Sequence, residues 1–148
     1  MTIPKELIGG RYGADFDGET PPELPNTIAE LLARRCIRRY TDDPVPEALL
    51  DTLLACAQSA PTKSNLQQYS IIVTTDHAQR MKLADLNPDT GHMHYCPVFL
   101  TFCADMRRAK RLTERHGYEY ASNNMDTFLN ATVDAALAMQ CFVTAAEA

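Results

Sequence analysis

Two periods of apolar residues run along the chain, and the switch between them marks its elements. From Thr27 to Arg35, apolar residues at 28, 31 and 32 predict a short amphipathic helix. In "DDPVPEALLDTLLACAQSAP", Leu49, Leu50, Leu53, Leu54 and Ala57 form one stripe at helical spacing. Pro46 suits the first turn of that helix, and Pro61 ends it. "YSIIVTT" and "PVFLTFCAD" are β-branched or aromatic runs of strand length, with "HAQRMKLADL" between them as a short helix. "RRAKRLTERHG" reads as a charged helix stopped at Gly117. From Ser122 onward the pattern predicts one long helix, with Asp134 its only charge between Asp126 and Glu147, so most of its faces should be buried.

Residues 1–25 are rich in glycine and proline and predict an extended arm, suited to lying on a partner subunit; 26–148 read as the N-terminal part of a single domain. Asn130, Asp134 and Gln140 make the last helix a poor membrane span. No basic start precedes an apolar core near the N-terminus, as a secretory signal requires. The last helix also meets no Gly, Asn or Pro to stop it, so the chain reads as cut within a longer domain.

With 148 residues, 22% charged and a formal net charge of −5, the composition suits a soluble domain and argues against nucleic-acid binding. Five cysteines without a CxxC pair suit reduced thiols in a cytoplasm, and Cys56, Cys96, Cys103 and Cys141 read as core packing.

Against that acidic balance, "RRCIRRYTDD" concentrates Arg34, Arg35, Arg38 and Arg39 where a helix gives way to an extended stretch. Arg34 and Arg38 fall on one side of such a stretch, and guanidinium groups bind phosphate through paired hydrogen bonds. The other reading is a solvated basic turn paired with Asp42 and Asp43. "SAPTKSNLQQYS" places Thr62, Lys63, Ser64, Asn65 and Gln67 just before a strand, either as a polar loop or as groups that read the edge of a heteroaromatic ring. "HMHYC" sets His92, His94 and Cys96 at alternate positions, a spacing open to zinc and equally to a loop. Arg107, Arg108, Lys110, Arg111 and Arg115 form either a solvated helix face or an attractor for nicotinamide-nucleotide phosphates. Asp134 and Asn130, one turn apart, suit capping of neighbours or a bridge between subunits better than acid catalysis.

Taken together, the arginine segment, "DDPV", "APTKSNLQQY" and the final "DAALAMQCFVTAAEA" resemble the nitroreductase family. Its members carry R-R-S-x-R-x-F, D-x-P-V, P-S-x-x-N-x-Q-P-W and D-A-x-x-A-x-Q-N-x-x-x-A-A-E-A in that order. The resemblance runs from about Ile28 to Ala148 and is nearest to the NAD(P)H-flavin oxidoreductase and oxygen-insensitive nitroreductase branch. It implies an α+β fold, a mixed sheet flanked by helices around a long buried central helix, built as an intertwined homodimer with flavin mononucleotide (FMN) at the interface.

By position, the resemblance implies that Arg34, Arg35 and Arg38 hold the FMN phosphate and ribityl chain, with Cys36 standing where the family has Ser. Thr62, Lys63, Asn65 and Gln67 fall where the family contacts the isoalloxazine ring, with Lys63 in place of a small residue and Gln68-Tyr69 in place of Pro-Trp. A further ring contact falls near Asn87 or Thr90. The implied activity is hydride transfer from NADH or NADPH through FMN to a quinone, nitroaromatic or free flavin, with no catalytic side chain assigned and no metal. The alternatives are a flavin- or phosphate-binding module without turnover, and a truncated product with no activity of its own.

Overall fold

The computed structural model describes residues 4–13, 16–41, 43–87, 89 and 91–148. In chain order the elements are α1 (Pro4–Tyr12), α2 (Asn26–Ala33), α3 (Glu47–Gln58), β1 (Tyr69–Thr74), α4 (His77–Asp85), β2 (Phe99–Ala104), α5 (Arg107–Arg115) and α6 (Met125–Glu147). Short 3-10 helices at Lys63–Asn65 and Gly91–Tyr95 precede the two strands.

Local chemistry explains most of the boundaries. Pro46 is the N-cap of α3, its φ of −59° matched to the proline ring. The Asp76 and Asn124 side chains each accept from a first-turn N–H, of Gln79 and Thr127, both at 2.9 Å, and so start α4 and α6. Gly117 stops α5 at φ +77°, a conformation that favours glycine.

The strands pair antiparallel, with Tyr69 opposite Ala104 and Val73 opposite Leu100. One face of this sheet packs on α6, where Phe102 meets Phe142 edge to face at 5.9 Å. α6 also packs on α3, and small side chains are buried there: Ala57, Ala131 and Ala138 are fully buried, with Leu50 and Leu53 on α3 buried as well. Alanines at these positions let the two helix backbones approach closely, so α3 and the sheet share the one buried stripe of α6.

α6 is long and apolar enough to cross a bilayer by length and composition. Here it is the central helix of a packed layer, but buried along one stripe only: Thr127, Ala131, Asp134, Ala135 and Ala138. Its remaining faces were expected to be covered as well, yet Met125, Phe128, Leu129, Val133, Leu137 and Met139 are exposed. The physical reason is that, among the described elements, α3 and the two strands make the main contacts with it, and they meet it along that stripe.

The segment expected to be an extended arm is partly helical. Pro4 suits a first helical position, and the following residues form α1, none of them buried. Arg11 anchors it by donating to the carbonyls of Leu32 at 2.9 Å, Leu31 at 3.4 Å and Arg34, the orphan acceptors at the end of α2.

Asp105 joins the end of β2 to both neighbours. It accepts from the Ser70 hydroxyl at 2.6 Å and from the Arg107 guanidinium and backbone N–H. Its own N–H donates to the Gln68 carbonyl at 2.9 Å. The Arg107 side chain first, then Ser70, hold its carboxyl well below the usual carboxylate range. A depressed folded-state value contributes stability that is full above about pH 4 and fades as the pH falls through that value. Asp105→Asn should therefore cost about 1–2 kcal/mol at neutral pH. Denaturant titrations of both proteins across the acid range should show that deficit shrinking steadily below about pH 4.

Candidate functional site

The loop between α3 and β1 is shaped by one buried carboxylate. Asp134 on α6 is 1% exposed, and each of its oxygens takes one backbone donor: Oδ1 from Lys63 N–H at 2.9 Å and Oδ2 from Gln68 N–H at 3.1 Å. Burying an unpaired carboxylate is costly, so these donors are what make the position tolerable. The bonds reach 71 and 66 residues along the sequence and fix both ends of the loop to the centre of α6.

Between those ends the backbone folds tightly. Ser64, Asn65 and Gln67 have φ of 51°, 54° and 50°, a left-handed conformation that costs a non-glycine residue about 1–2 kcal/mol. Asn65 N–H donates to the Thr62 carbonyl, Leu66 N–H to that of Lys63, and Gln67 N–H to the Thr62 hydroxyl at 3.3 Å. From Lys63 to Tyr69 only the Ser64 N–H has no acceptor among the described residues. Lys63 and Ser64 project outward from this turn.

A guanidinium holds the opposite side. Arg108, on α5, donates to the Leu66 carbonyl at 2.6 Å, to the Gln67 carbonyl at 3.3 Å and twice to Gln67 Oε1 at 3.2 Å. Gln67 in turn donates from Nε2 to Asn65 Oδ1 at 3.2 Å, so its amide is engaged at both ends within the loop. Gln68 is buried, and its Oε1 has no hydrogen-bond partner among the described residues.

The arginine segment leaves α2 in extended conformation, starting at Arg34 with ψ 134°. Arg34 Nε forms an ion pair at 2.9 Å with the Glu147 carboxylate at the end of α6. Arg35 folds back and donates to the carbonyls of Leu32, Ala33 and Arg34. Arg38, Arg39 and Cys36 are exposed and make no hydrogen bond or ion pair among the described residues. Asp43 forms no ion pair with them, and Asp42 lies outside the described residues.

α6 therefore carries both segments, the loop at Asp134 and the arginines at Glu147, about 20 Å apart along its axis. Sequence reasoning did not find Arg108 as a loop contact, because its spacing in α5 is that of a solvated basic face. Asp134 was visible as a lone charge in an apolar helix, which is the signal that pointed to it.

The other candidates resolve into structural contacts. Gly91–Tyr95 is a 3-10 helix rather than an extended run, which takes His92, His94 and Cys96 off a common face. His94 bonds to Asp85 at 3.0 Å, which raises its pKa, and Cys96 Sγ donates to the Met93 carbonyl. A groove of about 410 Å³ lined in part by Thr41, Val45, Arg80 and His94 lies nearby. Arg80 there is committed to the Thr75 and Cys96 carbonyls. Asn87 closes α4 by donating to Ala84, and Thr90 lies outside the described residues.

Residues 31–148 match the model of the nitroreductase family. The chain belongs to that family. It is 37% identical over 126 residues to an FMN reductase (NAD(P)H) of Bacillus subtilis, covering 84% of this chain and 51% of the relative. An oxygen-insensitive NADPH nitroreductase of Salmonella typhimurium is 36% identical, at 82% and 49% coverage. The solved structure of NfrA2 from B. megaterium superposes with a TM-score of 0.81 at 33% identity, covering 84% of this chain and 51% of that one. The chain thus spans about half the length of the curated nitroreductase relatives it matches.

The strained turn gives a direct test of this loop geometry. Ser64→Gly should leave stability unchanged or raise it by up to about 1 kcal/mol, since glycine adopts φ 51° freely but loses more entropy on folding. Ser64→Val, β-branched at a left-handed position, should destabilise by about 1–2 kcal/mol. Thermal midpoints of the three proteins measure the difference.

Proposed function

We propose that this protein is an FMN-dependent oxidoreductase that takes hydride from NADH or NADPH and delivers it to a quinone, nitroaromatic or free flavin. The observation that carries the reading is the arginine segment. In a member of the nitroreductase family, Arg38 and Arg39 have no hydrogen-bond or ion-pair partner among the described residues, and Arg34 is held only by an ion pair to Glu147. Guanidinium donors left open within one short segment of an acidic chain suit a phosphate, which offers several acceptor oxygens to paired N–H groups.

On this reading Arg34 and Arg38 bind the phosphate, and Arg35, already spent on the end of α2, supplies charge more than a direct bond. Thr62, Lys63, Asn65 and Gln67 present the loop to the isoalloxazine ring. The groups free to contact it are the Ser64 N–H, the Lys63 ammonium and the Asn65 amide nitrogen, while Gln67 braces the turn from within. Lys63 places a positive charge where negative charge would develop on reduction. FMN supplies the hydride-accepting and hydride-donating chemistry when bound. The chain's own residues bind, orient and set the field, and none needs to act as nucleophile or general base.

The reading includes a cytoplasmic homodimer. The exposed apolar stripe of α6, from Met125 to Met139, is larger than scattered surface residues would make it, and such stripes mark protein–protein contacts. A second copy covering it would bring the loop of one protomer toward the arginines of its partner, with the N-terminal segment reaching across. Absorbance of the purified full-length protein tests the whole reading: a flavin spectrum that bleaches anaerobically with NADH or NADPH supports it. A flavin spectrum that persists makes the protein a binding module, and a colourless protein under saturating FMN refutes the assignment.

Arg38→Ala should weaken FMN binding by about 1.5–3 kcal/mol, the loss of a charge-assisted hydrogen bond, measured by fluorescence titration. Equal affinity in both proteins would remove Arg38 from the site. Cys36→Ser should tighten binding by about 0.5–1.5 kcal/mol, since a hydroxyl donates to phosphate better than a thiol does. Weaker binding by the serine protein would place Cys36 away from the phosphate.

A further inference from the structure

Three left-handed non-glycine residues in one short loop persist only where the surroundings over-determine the backbone. Two side chains do that here, with opposite charge and from different elements. The Asp134 carboxylate on α6 takes the N–H groups at the ends of the loop, Lys63 and Gln68. The Arg108 guanidinium on α5 takes the acceptors in its middle, the Leu66 and Gln67 carbonyls and Gln67 Oε1. An anion on the donors and a cation on the acceptors leave the loop few alternative folds, and neither side chain makes another hydrogen bond or ion pair among the described residues.

We infer that Asp134 and Arg108 are positioning residues, a two-sided clamp that holds Lys63, Ser64 and Asn65 in register with the flavin ring. The inference rests on the proposal that this loop faces the ring. It takes Arg108 out of the nicotinamide-phosphate face suggested by the basic run of α5, since its guanidinium is committed to the loop. Asp134 acts from behind the loop through backbone hydrogen bonds, and touches neither ring nor substrate.

The clamp makes graded predictions. Asp134→Asn keeps one acceptor oxygen and loses the other, so FMN affinity should fall about tenfold. Asp134→Leu, with no acceptor, should lose about a hundredfold. Arg108 is exposed, so its variants test the clamp without threatening the core. Arg108→Met should lose about tenfold, with Arg108→Lys between it and wild type.

The experiment is FMN titration of these full-length proteins, with the visible spectrum and midpoint potential of the bound flavin recorded beside the thermal midpoint. A clamp changes the affinity, spectrum and potential of folded protein; a residue that only stabilises the fold lowers the thermal midpoint and leaves those readouts unmoved. Folded Arg108→Met with wild-type FMN affinity, spectrum and potential would overturn the inference. So would an Arg108→Met protein altered only in its KM for NADPH, which would return Arg108 to the nucleotide. Wild type that binds FMN while every variant matches it sinks the clamp alone. Wild type that binds no FMN sinks the flavin reading and the clamp with it.

Discussion

The hydrogen bonds of the Asp134 carboxylate to Lys63 and Gln68 are the constraint on which the rest of this structure turns. A carboxylate at 1% exposure is tolerable only while both oxygens have donors, so the loop cannot leave α6 without stranding a charge. The loop cannot relax either, because its left-handed residues are held between that anion and Arg108. Gln68 then hands the constraint to the sheet, accepting from Asp105 at the end of β2, whose carboxylate in turn binds Ser70 and Arg107. A chain of hydrogen bonds, charge-assisted at both carboxylates and joined by the Asp105–Gln68 backbone bond, thus runs from the centre of α6 through the loop to both strands and the start of α5.

α6 can serve as this backbone because its buried stripe is small. Alanines at 131, 135 and 138 let α3 come close, and Phe142 packs on the sheet at Phe102. The tight packing leaves Asp134 inaccessible to water, which strengthens its bonds to the loop. The same helix ends beside the arginine segment at Glu147, so both candidate binding segments are referred to one rigid element. A site built on such a helix is placed more reproducibly than one built on loops alone.

The four arginines show how neighbours divide a positive charge. Arg35 spends its donors on helix-end carbonyls but keeps its charge, Arg34 is ion-paired to Glu147, and Arg38 and Arg39 have no partner among the described residues. The chain's overall negative charge keeps this patch local, which suits a small anion better than a polyanion.

Periodicity and local chemistry determined much of this from the sequence alone. The helix stripe of Leu50, Leu53 and Ala57, the β-branched first strand and the aromatic second one, Gly117 as a stop and the order of motifs are short-range features, each written within a few residues. Family membership was legible for the same reason, since the arginine segment and the polar loop keep their residue types in sequence. The tertiary structure alone decided the partners. Lys63 and Asp134 are 71 residues apart, Arg108 and Leu66 are 42 apart, and Arg11 meets Leu32 across 21, distances over which no local pattern carries information. α1 is helical where glycine and proline suggested an arm, because Arg11 docks it on the carbonyls ending α2. Which faces of α6 are covered was likewise beyond the pattern, since an apolar residue reads the same whether it meets its own chain or a second one.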